Sequence, residues 1–193
     1  MNEFLGLYPA WLEPGIGAGW VIGFIATIHV LFSHASVGAA LVFAWLARRA
    51  VTANQPQHLD FIRKYGAFLL IFSYVLGSVT GPGIWFAATI ANPRGISALI
   101  HNFVWLWATE WVFFLIEVAG VYLLVYLAGR VPIKTYLRYC TIFALSSVGT
   151  LLIIVGILSF MLWPGQDSWY QTGGVLSAFF GESMFAQLSA RFF

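Results

Sequence analysis

Long apolar runs alternate along this chain with short polar joints. Apolar positions continue almost unbroken over Gly15 to Ala47, Tyr65 to Ala91, Ile96 to Ala128 and Tyr136 to Trp163, each run bounded by charge or by Pro and Gly. A helix needs about 20 apolar residues, at about 1.5 Å each, to cross the hydrocarbon of a bilayer. All four runs exceed that length. The pattern predicts an all-α integral membrane protein: a transmembrane four-helix bundle over residues 15–165, an outer-side segment over 1–14 and a C-terminal tail over 166–193. Within the tail, Val175 to Phe193 predicts a short interfacial amphipathic helix or a partial fifth span.

Composition agrees, with 61% hydrophobic and only 8% charged residues among 193, where a soluble domain is usually about a quarter charged. The charges are placed unevenly. Arg48, Arg49, Arg63 and Lys64 lie between the first and second spans, and Arg130, Lys134 and Arg138 between the third and fourth; only Arg94 and Arg191 fall elsewhere. The positive-inside rule then puts both joints in the cytoplasm and the N-terminus outside, as expected of a multi-pass protein of the cytoplasmic (inner) membrane. Glu3 and Glu13 precede the first span without a basic region, so that span is expected to be retained rather than cleaved as a signal peptide. The single cysteine, Cys140, rules out a disulfide framework, a paired-cysteine metal site and covalent haem attachment. There is no nucleotide-binding glycine loop, zinc spacing, internal repeat or nucleic-acid-binding signature.

Ionisable side chains inside a span are costly and ordinarily have a partner or a function. Four stand out: His29, His34, Glu110 and Glu117. His29 and His34 are five apart, about 140° around a helix, so they cannot point at one site. Each imidazole can serve as a metal or haem ligand or as a hydrogen-bonding group toward a neighbouring helix. Glu110 and Glu117 are seven apart, on one helix face and about 10 Å apart along it. Carboxylates in series at membrane depth mark proton relays, or bond to neighbouring helices as structural groups. Ser146 and Ser147 of the fourth span fall near the depth of Glu117 and either extend such a path or pack between helices.

The second span contains "GSVTGPGIWF", with Thr80, Gly81, Pro82, Gly83 and Trp85 in close succession. Small residues there permit close helix packing or leave room for a flat cofactor, and Pro82 with its glycines can kink the helix. The aromatic run "FVWLWATEWVFF" suits lipid contact or a haem wall equally.

In combination these segments resemble the N-terminal half of subunit I of the cytochrome bd quinol oxidases. The first span reads His29, Leu31, Phe32, Ser36, Val37, Gly38, similar to that family's haem-ligating histidine followed by Leu-Phe and then a small hydroxyl residue, an aliphatic and glycine. "GSVTG" resembles its Gly-x-x-Thr-Gly, "TEWVFFLIE" its pair of glutamates around Phe-Phe-Leu, and "FMLWPG" its aromatic-Met-x-x-Pro. The resemblance covers almost the whole chain, in order. It implies that His29 is the axial ligand, and so the iron ligand, of a non-covalent b- or d-type haem near the outer surface, with Thr80, Gly81 and Trp85 lining it. It implies further that Glu110 lies near that haem and that Glu117, with Ser147, conducts protons from the cytoplasm.

There are departures. The family's two glutamates are eight apart rather than seven, which displaces one of Glu110 and Glu117 in register. His34 stands where the family often has proline, and His101 is an addition best read as an interfacial hydrogen-bonding group. Family members also carry a low-spin haem, a quinol-binding loop and a second high-spin haem ligand beyond this length. Other membrane subunits are therefore expected to complete the complex. The leading expectation is a haem-binding subunit of a bd-like complex that passes electrons from quinol or a cytochrome to oxygen or another small ligand. An electron relay or quinone-interacting anchor without an acceptor site is one rival, and a cofactor-free scaffold or assembly subunit the other.

Overall fold

A computed structural model describes residues 15, 17–163 and 174–192. Among these residues the chain is all-α, and four of its helices are long and apolar enough to span a membrane. They are α1 (Ala18–Thr52), α2 (Gln57–Ala91), α3 (Pro93–Leu127) and α4 (Ile133–Leu162). The expected spans are found, but the helices run further than the apolar runs at one end. Arg48 and Arg49 lie inside α1, and Arg63 and Lys64 inside α2. Charge ends the part of a helix that hydrocarbon can cover, whereas backbone hydrogen bonding continues until the chain must turn.

The turns have local causes. Asn54, with φ 51°, reverses the chain between α1 and α2, and Gly129, with φ 74°, does so between α3 and α4; both conformations lie in the left-handed region that Asn and Gly tolerate best. At the opposite end Asn92 caps α3 by accepting from Gly95 N at 3.1 Å, with Pro93 in the first turn. Successive helices are antiparallel neighbours: α1 lies against α2 and α4, and α3 against α4 and α2. α3 and α4 approach one another closely at two glycines. There a Cβ at Gly120 would come within 3.1 Å of Phe143, and one at Gly149 within 3.2 Å of Phe113, so the missing side chains set the helix separation.

Two apolar cores result. The first joins all four helices toward the basic end through Phe43, Ile62, Leu69, Leu124, Tyr136 and Phe143. The second, toward the other end, joins α3 and α4 to the tail through Leu99, Phe103, Ile157, Phe160, Phe179 and Met184. The first half of α1 takes little part in it: no residue with a described side chain before Ser36 is buried.

Two expectations change in detail. Over its described part, the stretch expected as one helix from Val175 is two short ones, α5 (Val175–Phe179) and α6 (Met184–Phe192), broken around Gly181 and folded onto α4. Pro82 sits inside the helical stretch Leu76–Ala91. The irregular part of α2 comes earlier, where Leu70–Val75 widens into a π-helical turn. A second irregularity is Phe103 in α3, with φ −119° and ψ 22°. The N-terminal segment 1–14 and the Pro164 and Gly165 that close the "FMLWPG" stretch lie outside the described residues.

Candidate functional site

The polar side chains at membrane depth form two groups of different construction. The first is centred on Glu117, only 4% exposed. Its Oε2 accepts from Tyr74 OH at 2.9 Å, from Ser147 Oγ at 2.9 Å and, at 3.4 Å, from Ser36 Oγ. Its Oε1 accepts from Thr150 Oγ1. Ser36 and Tyr74 are themselves joined, Oγ to OH, at 2.6 Å. Ser36 comes from α1, Tyr74 from α2, Glu117 from α3, and Ser147 and Thr150 from α4. Every spanning helix therefore contributes to one carboxylate.

Local structure explains how the hydroxyls arrive there. Ser147 and Thr150 are three apart on α4 and share a face. Tyr74 lies in the π-helical turn, whose wider spacing shifts the register of α2 by a fraction of a turn. Its ring is held between Phe114 and Phe143, each with its centroid 6.2 Å away. A hydroxyl both donates and accepts, so Ser36, Tyr74 and Glu117 form a short chain along which a proton can be handed on.

The second group is centred on His29. Its Nδ1 lies 2.9 Å from Thr80 Oγ1 on α2. The one hydroxyl proton of Thr80 is directed back to its own helix, to the carbonyl of Leu76 at 3.0 Å or of Gly77 at 3.3 Å. The threonine oxygen therefore accepts, and the hydrogen between the two residues belongs to His29 Nδ1. In a neutral imidazole this leaves a lone pair on Nε2. A Cβ on Gly81 would come 3.4 Å from His29 Cε1, so glycine lets α2 pass close beside the ring. One turn further along α2, Trp85 meets Trp107 of α3 edge to face, with centroids 4.9 Å apart. Trp107 Nε1 is a buried donor without a partner among the described residues.

Of the residues singled out from sequence, the structure thus brings together His29 with Thr80 and Gly81, and Glu117 with Ser147. Glu110 joins neither group: it is half-buried and makes no hydrogen bond among the described residues. Trp85 meets Trp107 rather than His29. His34 turns away, with Nδ1 2.9 Å from the carbonyl of Val30 on its own helix. His101 is exposed and lines an open cavity of about 360 Å³ with Thr89, Pro93 and Ser97. Tyr74, Thr150 and Trp107 were not anticipated from sequence. A tyrosine at the level of a buried glutamate was the available signal for Tyr74.

Among the described residues no three His, Cys, Asp or Glu side chains assemble into a metal-binding group. A haem needs only an axial donor from the chain and a flat place beside it. With its hydrogen on Nδ1, His29 offers Nε2 as such a donor, Gly81 lies against the ring at Cε1, and the unsatisfied indole N–H of Trp107 is available to an acceptor on a bound group.

No family model, no curated protein and no solved structure matches this chain.

Proposed function

We propose that this chain is a haem-binding transmembrane subunit of a cytochrome bd-like respiratory complex, with its N-terminus outside the cytoplasmic membrane. The observation that carries the reading is the 2.9 Å contact between His29 Nδ1 and Thr80 Oγ1: with the Thr80 proton turned to its own helix, we infer that Nδ1 holds the hydrogen and that Nε2 is left as a donor for iron. The second support is the correspondence of four short segments, in order, to subunit I of the bd oxidases. A haem bound there supplies electron transfer and, at an open coordination position, reduction of oxygen or of a ligand such as nitric oxide.

The chain's own residues have separable tasks in this reading. His29 binds, and Thr80 fixes the rotation of its ring as outer-shell partners of ligating histidines do. Gly81 keeps side chains away from the edge of the ring. Glu110, two turns along α3 from Glu117, holds a proton on the side of the bundle where His29 lies. Glu117 and its hydroxyls hold and pass a proton at the junction of the four helices. Quinol or a cytochrome supplies electrons, and other membrane subunits take part in that transfer.

The test is the dithionite-reduced optical spectrum of the native complex, with and without carbon monoxide, for the wild type and His29→Ala. A carbon-monoxide-sensitive high-spin signal that disappears in the variant is the expected result. A signal insensitive to carbon monoxide that disappears would make the chain an electron relay. Identical spectra and haem content in both proteins would remove haem from this chain.

A further inference from the structure

The outward face of α1 carries a group that lipid cannot satisfy. His34 is the seventeenth of the 35 residues of α1 and fourteen before Arg48, which at about 1.5 Å per residue places it about 21 Å inward of the basic end. The buried residues of α1 near it are Ser36, Ala40, Phe43 and Ala47. At about 100° per residue they centre half a turn away from His34, so the imidazole is directed away from the bundle. Its Nδ1 is 2.9 Å from Val30 O. A carbonyl only accepts, so Nδ1 carries the hydrogen and Nε2 is an acceptor, without a partner among the described residues.

Ionisable side chains within a span face a bundle interior or a watery cavity, because an unsatisfied polar group in hydrocarbon is costly. His34 does neither among the described residues. The same face continues on either side of His34 as Gly23, Thr27, Val30, Gly38 and Leu41, all exposed, at steps of three or four. Gly23 and Gly38 have nothing within 4 Å of where a Cβ would stand. This spacing is that of a helix seam, and its small residues admit close backbone approach. On the outward faces of α2 and α4, Phe68, Ile71, Val79, Ile142, Leu145 and Leu152 are exposed, and the exposed hydroxyls of Ser78 and Thr141 there bond back to carbonyls of their own helices, as suits lipid.

We propose that a transmembrane helix of a different chain packs along this face of α1 and donates an N–H or O–H to Nε2 of His34. A second copy of this chain does not meet the requirement. Copies inserted in the same orientation would bring one Nε2 lone pair against another, with no hydrogen between them. The proposal does not depend on haem, and its test has no haem readout.

The experiment places a photoreactive benzophenone amino acid at position 41, on the His34 face, or at position 145, on α4, in the native complex in its membrane. At position 41 the expected product is one protein adduct whose partner peptide is a transmembrane segment bearing a side-chain donor within a turn of the link. At position 145 only lipid adducts are expected. His34→Leu lowers the yield at position 41 at least several-fold, and His34→Gln, which retains an acceptor, restores most of it. Lipid adducts alone at position 41 would overturn the interface, as would a link between two copies of this chain. An adduct yield unchanged by His34→Leu would overturn the hydrogen bond.

Discussion

Glu117 and His29 are both polar groups in apolar spans, yet the chain treats them oppositely. Around Glu117 four helices close in and four hydroxyls from three of them reach the carboxylate. Around His29, among the described residues, only α2 contributes polar partners, the Thr80 hydroxyl and the Gly77 backbone, and with Nδ1 donating to Thr80 the other nitrogen keeps its lone pair. The difference follows from where each sits in the bundle. Glu117 is at the level where the first core draws in all four helices, whereas His29 is in the half of α1 where no described side chain is buried. A saturated group can hold a proton and help hold the helices together; an unsaturated one is available to something else.

The largest expected effect breaks the open member of the pair. His29→Ala abolishes one haem signal in the native complex outright, while unfolding of the protein in detergent changes little, because the polar contacts of the ring reach α2 alone. Glu117→Leu should reverse that pattern. It leaves Ser147 without its partner and frees Tyr74 and Thr150 to find weaker ones, a loss of about 3 kcal/mol from removing partners of buried polar groups. A lowered midpoint of thermal unfolding with haem content intact checks it. Glu117→Gln, which keeps an acceptor in place, should cost about 1 kcal/mol and yet slow proton uptake during turnover at least tenfold; wild-type uptake would end the relay role.

Thr80→Val comes next in size. It keeps shape and volume but removes the acceptor for His29 Nδ1, and loss of such an outer-shell partner typically weakens metal binding by about 10- to 100-fold. Haem retention on titration with a competing apo-haemoprotein measures it. Retention unchanged from the wild type would mean that Thr80 does not set the ring.

These effects also show what the sequence could and could not disclose. The spans were legible because hydrocarbon imposes a length, and Glu117 with Ser147 because carboxylates in apolar runs are rare enough to count. The His29–Thr80 contact was only half legible: both residues lie in suggestive segments, but nothing in either segment states that α2 passes α1 within hydrogen-bonding distance there. Thr150 was hidden by its ordinariness, since hydroxyls in helices usually bond back to their own carbonyls, as Thr141 does to Leu137. The division of the tail into α5 and α6 was hidden because it depends on docking. Phe179 fills the space above Gly156 of α4, where any Cβ would overlap its ring, and periodicity within the tail cannot report that partner.

Tyr74 is the deepest case of concealment and gives the smallest predicted effect. A regular 3.6-residue period does not describe α2 through this stretch; the π-helical turn at Leu70–Val75 changes the direction in which Tyr74 points. Tyr74→Phe removes one hydroxyl from the carboxylate, but Ser36 already stands 3.4 Å from the same oxygen and loses its alternative partner. It can turn its single proton to Glu117 and recover part of what is lost. The net cost should therefore be about 1 kcal/mol or less, with proton uptake slowed only a few-fold. Ser36→Ala in the Tyr74→Phe background removes that compensation, so the double variant should lose more than the two single variants added together. Strict additivity in unfolding midpoints and uptake rates would mean that the two hydroxyls act on Glu117 independently, and that the π-helical turn serves packing alone.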